Sequence, residues 1–214
     1  MIRSFHLEPV VDSGLIPHAA GQHLAVRVTP PGYAKPAIRT YTLSTGPADG
    51  LYRISVKRQG VFSAHLHEIL QVGSVIETRA PAGQFTVDAA ERRPVVLLAA
   101  GVGVTPILAM LRHIVCEGLR TRRARPTWFF HSARTLAERA FTKEIDQLAG
   151  AAGGAVRVVR TLTNSKGAQV GKDVDFAGQL DVALLNETLL FNDYDFIYVD
   201  RRRSCSRYTA VCAS

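Results

Sequence analysis

Two glycines, Gly101 and Gly103, stand between a strongly apolar run at 95–100 and the residues Thr105 and Pro106, where a helix is predicted to begin. A glycine turn from a strand into a helix lets backbone N–H groups approach a phosphate closely, because no Cβ atom blocks the way. The positive end of the helix dipole adds to this attraction for anions. The segment therefore predicts a diphosphate-binding turn, but alone it does not specify the ligand.

A second motif lies upstream, where Arg39, Thr40, Tyr41 and Thr42 form a predicted strand. In a strand the side chains at 39 and 41 share one face, and the side chain at 42 points to the other. This arrangement offers a cation for a phosphate, an aromatic face for a planar ring and a hydroxyl for a ring nitrogen. Those are the contacts that a flavin needs, although an ordinary strand of β-branched and aromatic residues has the same composition.

A third motif, Gly60-Val61-Phe62-Ser63, is a glycine turn that leads into a predicted helix at 63–70, with Ser63 as its N-cap. The free amides at the start of such a helix suit flavin phosphates. The three motifs in this order are much more specific than any one of them. Together they predict a flavin and a nicotinamide nucleotide bound by one chain.

The composition indicates a soluble globular protein, since 47% of the 214 residues are apolar and 21% are charged. The longest apolar stretch, at 94–111, is interrupted by prolines and glycines, so no membrane-spanning segment is expected. The N-terminus lacks the pattern of a signal peptide. These features predict a cytoplasmic protein.

Three scattered cysteines, Cys116, Cys205 and Cys212, are too few for an iron–sulfur cluster or a disulfide framework, and we expect no metal site. The net charge of +8 would suit either an acidic protein partner or a simply solvated surface. The densest basic runs, at 120–125 and 201–203, lack the interleaved aromatic residues of a nucleic-acid surface. We therefore expect no nucleic-acid partner.

The fold is predicted to have two domains, because the pattern changes near 88–93. Short β-type segments separated by turns precede this point and indicate a small antiparallel barrel; they lie at 2–8, 22–29, 37–44, 51–57 and 74–79. Strands and helices alternate after it, which predicts a parallel sheet covered by helices. The strands are expected at 95–100, 127–131, 155–161 and 195–199, and the helices at 105–117, 136–149 and 179–190.

The ordered motifs resemble those of the ferredoxin–NADP reductase superfamily, in particular the reductase modules of flavohaemoglobins and oxygenases. The resemblance covers residues 2–198 and also includes Gly21-Gln22-His23 and Pro81-Ala82-Gly83. It implies a flavin-binding β-barrel domain at 1–90 and an NAD(P)-binding α/β domain at 91–198. It also implies an oxidoreductase that passes hydride from NAD(P)H to FAD, and then single electrons to an iron–sulfur or haem partner. That partner would be a separate protein or a fused domain.

By this resemblance Arg39 binds the flavin diphosphate, Tyr41 stacks on the isoalloxazine ring, and Thr42 lies at its N5 atom. Thr40 belongs to the same motif, and the turn formed by Gly60, Val61, Phe62 and Ser63 is similar to the FAD-binding form. Tyr41 and Thr42 would therefore be the residues nearest to the hydride transfer and are the candidate catalytic residues.

The same resemblance assigns Gly101, Gly103, Thr105 and Pro106 to the diphosphate of NAD(P)H. It places Ser132 and Arg134 near the adenosine ribose. A guanidinium there pairs with a 2′-phosphate, whereas an acidic residue would repel it. These two residues favour NADPH over NADH, although Arg134 could equally be a solvated surface arginine.

The chain departs from the family after Tyr198, where Val199-Asp200-Arg201 stands in place of a Cys-Gly-Pro turn. Permitted codons spell Cys-Gly-Pro one base out of frame, so we expect an aberrant, frameshifted tail at 199–214; a selected but unusual terminus is the alternative. The segment 1–9 resembles the family's second strand, so truncation at both ends and an open barrel edge are expected. An alternative function follows, that of a noncatalytic remnant that binds flavin but does not turn over NAD(P)H.

Overall fold

The computed structural model describes residues 1–10, 14–189 and 193–199, and the backbone of 206–211. The chain divides into two compact units, Met1–Val87 and Asp88–Ser214. The expected tail at 199–214 lies partly outside the described residues, at 200–205 and 212–214. Each unit has its own apolar core.

The first unit consists of antiparallel strands and one helix, as the sequence predicts. Its elements are β1 (Ile2–Leu7), β2 (His23–Val28), β3 (Ala37–Thr42), β4 (Tyr52–Lys57), α1 (Val61–Ile69) and β5 (Glu77–Thr78). Strand β1 pairs with β4, and β2 lies between β3 and β5. A bridge between Leu43 and Ile54 links the two sheets.

The core of the first unit comes from alternate strand positions and one face of α1. Leu24 and Val26 on β2 are fully buried, as are Ile54 and Val56 on β4. Because side chains two apart share a face of a strand, each pair enters the same core. Leu66 contributes the helix face that packs on them.

Two expectations for the first unit are wrong in detail. Helix α1 begins at Val61 with Gly60 as its N-cap, so Ser63 lies inside the first turn rather than at the cap. The strand expected at 74–79 is reduced to β5, because Ser74 closes a turn by donating its N–H to the Gln71 carbonyl at 3.0 Å.

The second unit is a sheet with helices, again as predicted. Its elements are β6 (Val95–Ala100), α2 (Val104–Thr121), β7 (Thr127–Ala133), α3 (Thr142–Ala151), β8 (Val156–Leu162), β9 (Phe176–Ala177), α4 (Val182–Thr188), β10 (Asp193–Tyr198) and β11 (Ser206–Val211). The strand order is β11-β10-β6-β7-β8-β9, and all neighbours are parallel except β10 and β11.

Helix α2 runs unbroken from Val104 to Thr121 although it contains Pro106. The proline lies in the first turn, where the backbone N–H has no intrahelical acceptor, so its ring removes no hydrogen bond. The apolar stretch at 94–111 is thus divided among β6, the turn Gly101–Gly103 and the start of α2. By length and composition alone the segment Gly101–Thr121 could cross a membrane, but 67% of its apolar window is buried inside the protein.

The other helices are shorter than expected. The segment 136–149 forms a 3-10 turn at Leu136–Glu138 and then α3, because Phe141 adopts a left-handed backbone conformation with φ of 60° that an α-helix cannot include. Helix α4 begins after Asp181, whose carboxylate accepts the Leu184 N–H at 2.9 Å. The short β9 and the antiparallel β11 were not expected.

A buried ion pair joins β10 to the turn before β7. Asp195 is 3% exposed and accepts from Arg125 Nη2 at 2.5 Å and from Arg93 Nη1 at 3.2 Å. Arg125 also donates to the carbonyls of Arg93 and Asp88, each at 2.7 Å. The carboxylate and the guanidinium thus provide each other with an opposite charge and hydrogen-bond partners where water is excluded.

Candidate functional site

Strand β3 and the start of α1 converge on one aromatic ring. The Arg39 guanidinium carbon lies 5.6 Å from the centroid of the Phe62 ring. The Tyr41 ring centroid lies 6.4 Å from the same centroid. Arg39 and Tyr41 therefore share a face, as strand alternation requires, and residues distant in sequence lie at one place.

The turn before α1 is open on the side where a ligand would approach. Gly60 has a φ of +80°, which favours glycine, and a Cβ atom there would meet nothing within 4 Å. No side chain caps the first amides of α1. The Ser63 hydroxyl accepts the Gln59 N–H and donates to the Gln59 carbonyl, both at 2.7 Å, so it fixes the turn. An anion at these amides would also lie near the Arg39 cation.

Tyr41 and Thr42 are both half-buried, whereas Arg39 and Thr40 are exposed. Burial raises the pKa of the Tyr41 phenol, and the nearby Arg39 charge opposes that shift. Tyr41 therefore stays neutral at physiological pH. Thr42 belongs to the opposite face of the strand from Tyr41.

In the second unit the double-glycine segment forms a tight 3-10 turn at Gly101–Gly103 that runs directly into α2. Gly101 has a φ of +55°, and the Thr105 hydroxyl donates to the Val102 carbonyl at 3.2 Å. No side chain caps the start of α2. These features fit a diphosphate, since no side chain caps the first amides of α2 and the positive φ of Gly101 favours glycine.

The turn has a neighbour that sequence reasoning missed. A Cβ atom on Gly103 would lie 3.0 Å from the Val199 Cβ, so Val199 packs directly on this glycine. A larger residue at position 103 would therefore displace the Val199 side chain. No signal in the sequence pairs two residues so far apart.

Strand β6 lies at the point where the sheet order reverses, with β7 on one side and β10 on the other. In open α/β sheets, ligands bind outside the carboxyl ends of the strands at such a point. Ser132 is opposite Ala100 at this edge and is 7% exposed. Arg134 follows the end of β7 and is exposed. The second unit therefore brings the turn, Ser132 and Arg134 to one edge of the sheet.

His131, next to Ser132, is a buried group that titrates abnormally. Burial, with the Arg139 and Arg160 cations nearby, lowers its pKa from 6.5 to about 4. Its Nδ1 atom is buried without a hydrogen-bond partner. Protonation would place a third positive charge here, so the folded protein holds His131 neutral.

We expect His131 to make the protein less stable as the pH falls from 6.5 towards 4, because the unfolded chain binds a proton there that the folded chain rejects. Above pH 6.5 the neutral His131 contributes fully to the free energy of unfolding. Below pH 4 that contribution is lost, and the loss amounts to about 3 kcal/mol at most. Urea unfolding at about pH 7 and about pH 5 measures this loss. In the His131→Leu variant the free energy of unfolding should depend less steeply on pH. An unchanged dependence would contradict the assignment of this effect to His131.

The first unit also contains a cavity of about 670 Å³. It is lined by β1 residues such as Phe5 and Leu7 and by Ile76 and Thr78 at and before β5. None of the candidate flavin residues lines it. Within the described ranges, no group of three or more His, Cys, Asp or Glu side chains is placed to hold a metal ion.

Two family models match the chain, one in each unit. An oxidoreductase FAD-binding domain matches residues 2–87, and an oxidoreductase NAD-binding domain matches residues 97–199. The candidate residues at 39–42 and 60–63 fall in the first match. Those at 101–106 and 132–134 fall in the second.

Similar proteins include the flavohemoprotein of Bacillus subtilis (strain 168), which is 35% identical over 91% of this chain and 48% of its own length. That of Deinococcus radiodurans is 36% identical over 92% of this chain and 48% of its own length. This chain thus spans about half of the curated relatives that it matches.

Solved structures share the fold. The FAD/NAD-binding domain of nitric oxide dioxygenase from Vibrio cholerae O1 biovar El Tor has a TM-score of 0.77 and 29% identity, over 91% of this chain and 79% of that one. Phthalate dioxygenase reductase has a TM-score of 0.63 and 24% identity, over 88% of this chain and 53% of that one, a likeness of fold.

Proposed function

Because the chain belongs to the ferredoxin–NADP reductase superfamily of FAD- and NAD-binding oxidoreductases, we propose that it is an electron-transfer module that oxidises NADPH and reduces a haem or iron–sulfur partner. The convergence of Arg39, Tyr41 and the start of α1 on Phe62 carries the proposal. When bound, FAD accepts two electrons as hydride and releases them singly.

The chain's own residues have separate tasks in this proposal. Arg39 and the amides after Gly60 bind the FAD diphosphate, because a fixed cation and uncapped helix amides lie together there. The Tyr41 ring covers one face of the isoalloxazine, and the Thr42 hydroxyl donates a hydrogen bond at N5. The segment Gly101–Gly103 binds the nucleotide diphosphate, with Thr105 and Pro106 at the start of α2.

The partner is proposed from the relatives. The curated relatives at 34–37% identity are flavohemoproteins, which favours a haem acceptor, in a separate protein or a fused domain. Phthalate dioxygenase reductase, by contrast, transfers electrons from pyridine nucleotides to a [2Fe-2S] centre. Mixing reduced protein with a haem globin or with a [2Fe-2S] ferredoxin distinguishes the two acceptors.

Anaerobic reduction tests the function directly. Purified protein saturated with FAD should be yellow, and NADPH added without oxygen should bleach the flavin absorbance. A protein that does not retain FAD would contradict the proposal. Retained FAD that neither NADPH nor NADH bleaches would instead support the noncatalytic alternative.

Restoring the family turn tests that alternative further. Replacing Val199, Asp200 and Arg201 by Cys, Gly and Pro should accelerate bleaching if the turn closes the nicotinamide site. Equal rates in parent and variant would show that the turn is dispensable here. Sequencing the coding DNA separately decides whether an alternate frame encodes the motif.

We expect Arg134→Ala to raise the KM for NADPH about tenfold and to leave the KM for NADH unchanged. An arginine bound to a phosphate contributes roughly 1.5–3 kcal/mol, and only NADPH carries the 2′-phosphate. Stopped-flow reduction with both nucleotides measures the difference. Equal effects on the two would remove the reason to prefer NADPH.

A further inference from the structure

The three residues that follow β3 are each fixed by a different part of the first unit. The Leu43 N–H donates to the Gln22 carbonyl at 2.9 Å, and His18 Nε2 lies 3.3 Å from the Thr45 carbonyl oxygen. Ser44, between them, is completely buried. This segment directly continues the strand that carries Tyr41 and Thr42.

Arg53 on β4 binds all the polar groups of Ser44. Its Nη2 donates to the Ser44 carbonyl at 2.7 Å, and its Nε donates to the Ser44 hydroxyl oxygen at 2.9 Å. The Arg53 carbonyl accepts the Ser44 N–H at 2.8 Å and the Ser44 hydroxyl at 3.1 Å. The side chain therefore holds the carbonyl and the hydroxyl of a buried residue two positions beyond Thr42, and the Arg53 backbone holds its N–H.

This contact needs a guanidinium. Its planar fork presents Nε and Nη2 to two oxygens of one residue at the same time, which a lysine ammonium cannot reproduce. Without Arg53 the buried Ser44 carbonyl would lose a charged donor, and a buried acceptor without a donor is costly. The segment would relax towards water, and the end of β3 would move with it.

We infer that Arg53 is a positioning residue for the flavin site: by holding Ser44 it fixes the end of β3, and so the placement of Tyr41 and Thr42 against the ring. The inference rests on the proposed function. Arg53 acts through the backbone of Ser44 rather than by touching the cofactor. Functional sites depend on such supporting contacts, since small displacements of reacting groups reduce rates strongly.

The test compares Arg53→Met and Arg53→Lys with the parent protein. For Arg53→Met we expect about tenfold weaker FAD binding and, at saturating FAD, about tenfold slower bleaching by NADPH with an unchanged KM for NADPH. Arg53→Lys should fall between the two, because its ammonium keeps the charge but lacks the planar fork that meets both Ser44 oxygens. Visible circular dichroism of the bound flavin should change in the same order.

Arg58→Met is the matched control, since Arg58 follows the same strand but pairs with Glu68 at the surface, at 2.9 Å and with 50% of its side chain exposed. It should leave flavin binding, spectrum and rate unchanged. Should Arg53→Met fail to fold, Arg53→Lys and Ser44→Ala provide the comparison. Ser44→Ala removes only the hydroxyl contacts and should have a smaller effect than Arg53→Met.

Two results would overturn the inference. One is an Arg53 variant whose bound-flavin spectrum and bleaching rate equal those of the parent. The other is a lowered melting temperature with no change in the spectrum or the rate at saturating FAD, which would make Arg53 merely structural. A parent protein that binds no FAD would instead refute the proposed function.

Discussion

Replacing Arg39 with alanine is expected to leave a folded protein whose affinity for FAD falls between about tenfold and a hundredfold. A charge-assisted hydrogen bond from arginine to a phosphate contributes roughly 1.5–3 kcal/mol. Arg39 is exposed and lies over the Phe62 ring, so its removal opens no cavity in the core. Quenching of FAD fluorescence during titration with apoprotein measures the affinity.

Arg27→Ala provides the control for this prediction. Arg27 is also an exposed arginine of the same sheet, but it pairs with Glu77 at 3.0 Å and lies opposite Ile38, on the other face of the sheet from Arg39. It should bind FAD as the parent does. Equal losses in both variants would indicate a nonspecific effect of charge, and no loss at Arg39 would remove it from the site.

The largest expected effect on stability is that of Asp195→Ala. Removing this carboxylate leaves the Arg125 guanidinium, whose side chain is 0% exposed, with only carbonyl acceptors. Breaking a buried ion pair from one side costs about 3–5 kcal/mol. Urea unfolding should show this loss as a lower midpoint with an unchanged slope.

Asp193→Ala is the comparison on the same strand. Asp193 also pairs with Arg93, at 3.2 Å, but 59% of its side chain is exposed. Surface pairs contribute about 0–1 kcal/mol, so this variant should be close to the parent. A similarly small loss for Asp195→Ala would show that water reaches Arg125 once the carboxylate is gone.

The sequence was sufficient for those parts of the site that depend on local periodicity. Strand alternation predicted that Arg39 and Tyr41 share a face, and both reach Phe62. The glycine turn before α2 was predicted because an apolar strand, two glycines and a helix start follow one another in the chain. Their roles in binding stay predictions until the variants are measured.

Long-range contacts were beyond such reasoning. The hydrogen bonds from Arg53 to Ser44 and the packing of Val199 on Gly103 join residues that no local sequence pattern relates. The prediction of Ser63 as the N-cap is wrong for a local reason. A serine before an apolar run is typical of an N-cap, but the N-cap lies three residues earlier, at Gly60, which has a positive φ.

The pairing of β1 has a consequence for the protein in solution. Among the described strands β1 pairs only with β4, so its second edge has no strand partner there. A strand edge with unsatisfied amides and carbonyls is a template for a strand of another molecule. We therefore expect concentrated preparations of this chain to associate by β-sheet extension at β1 more than dilute ones do.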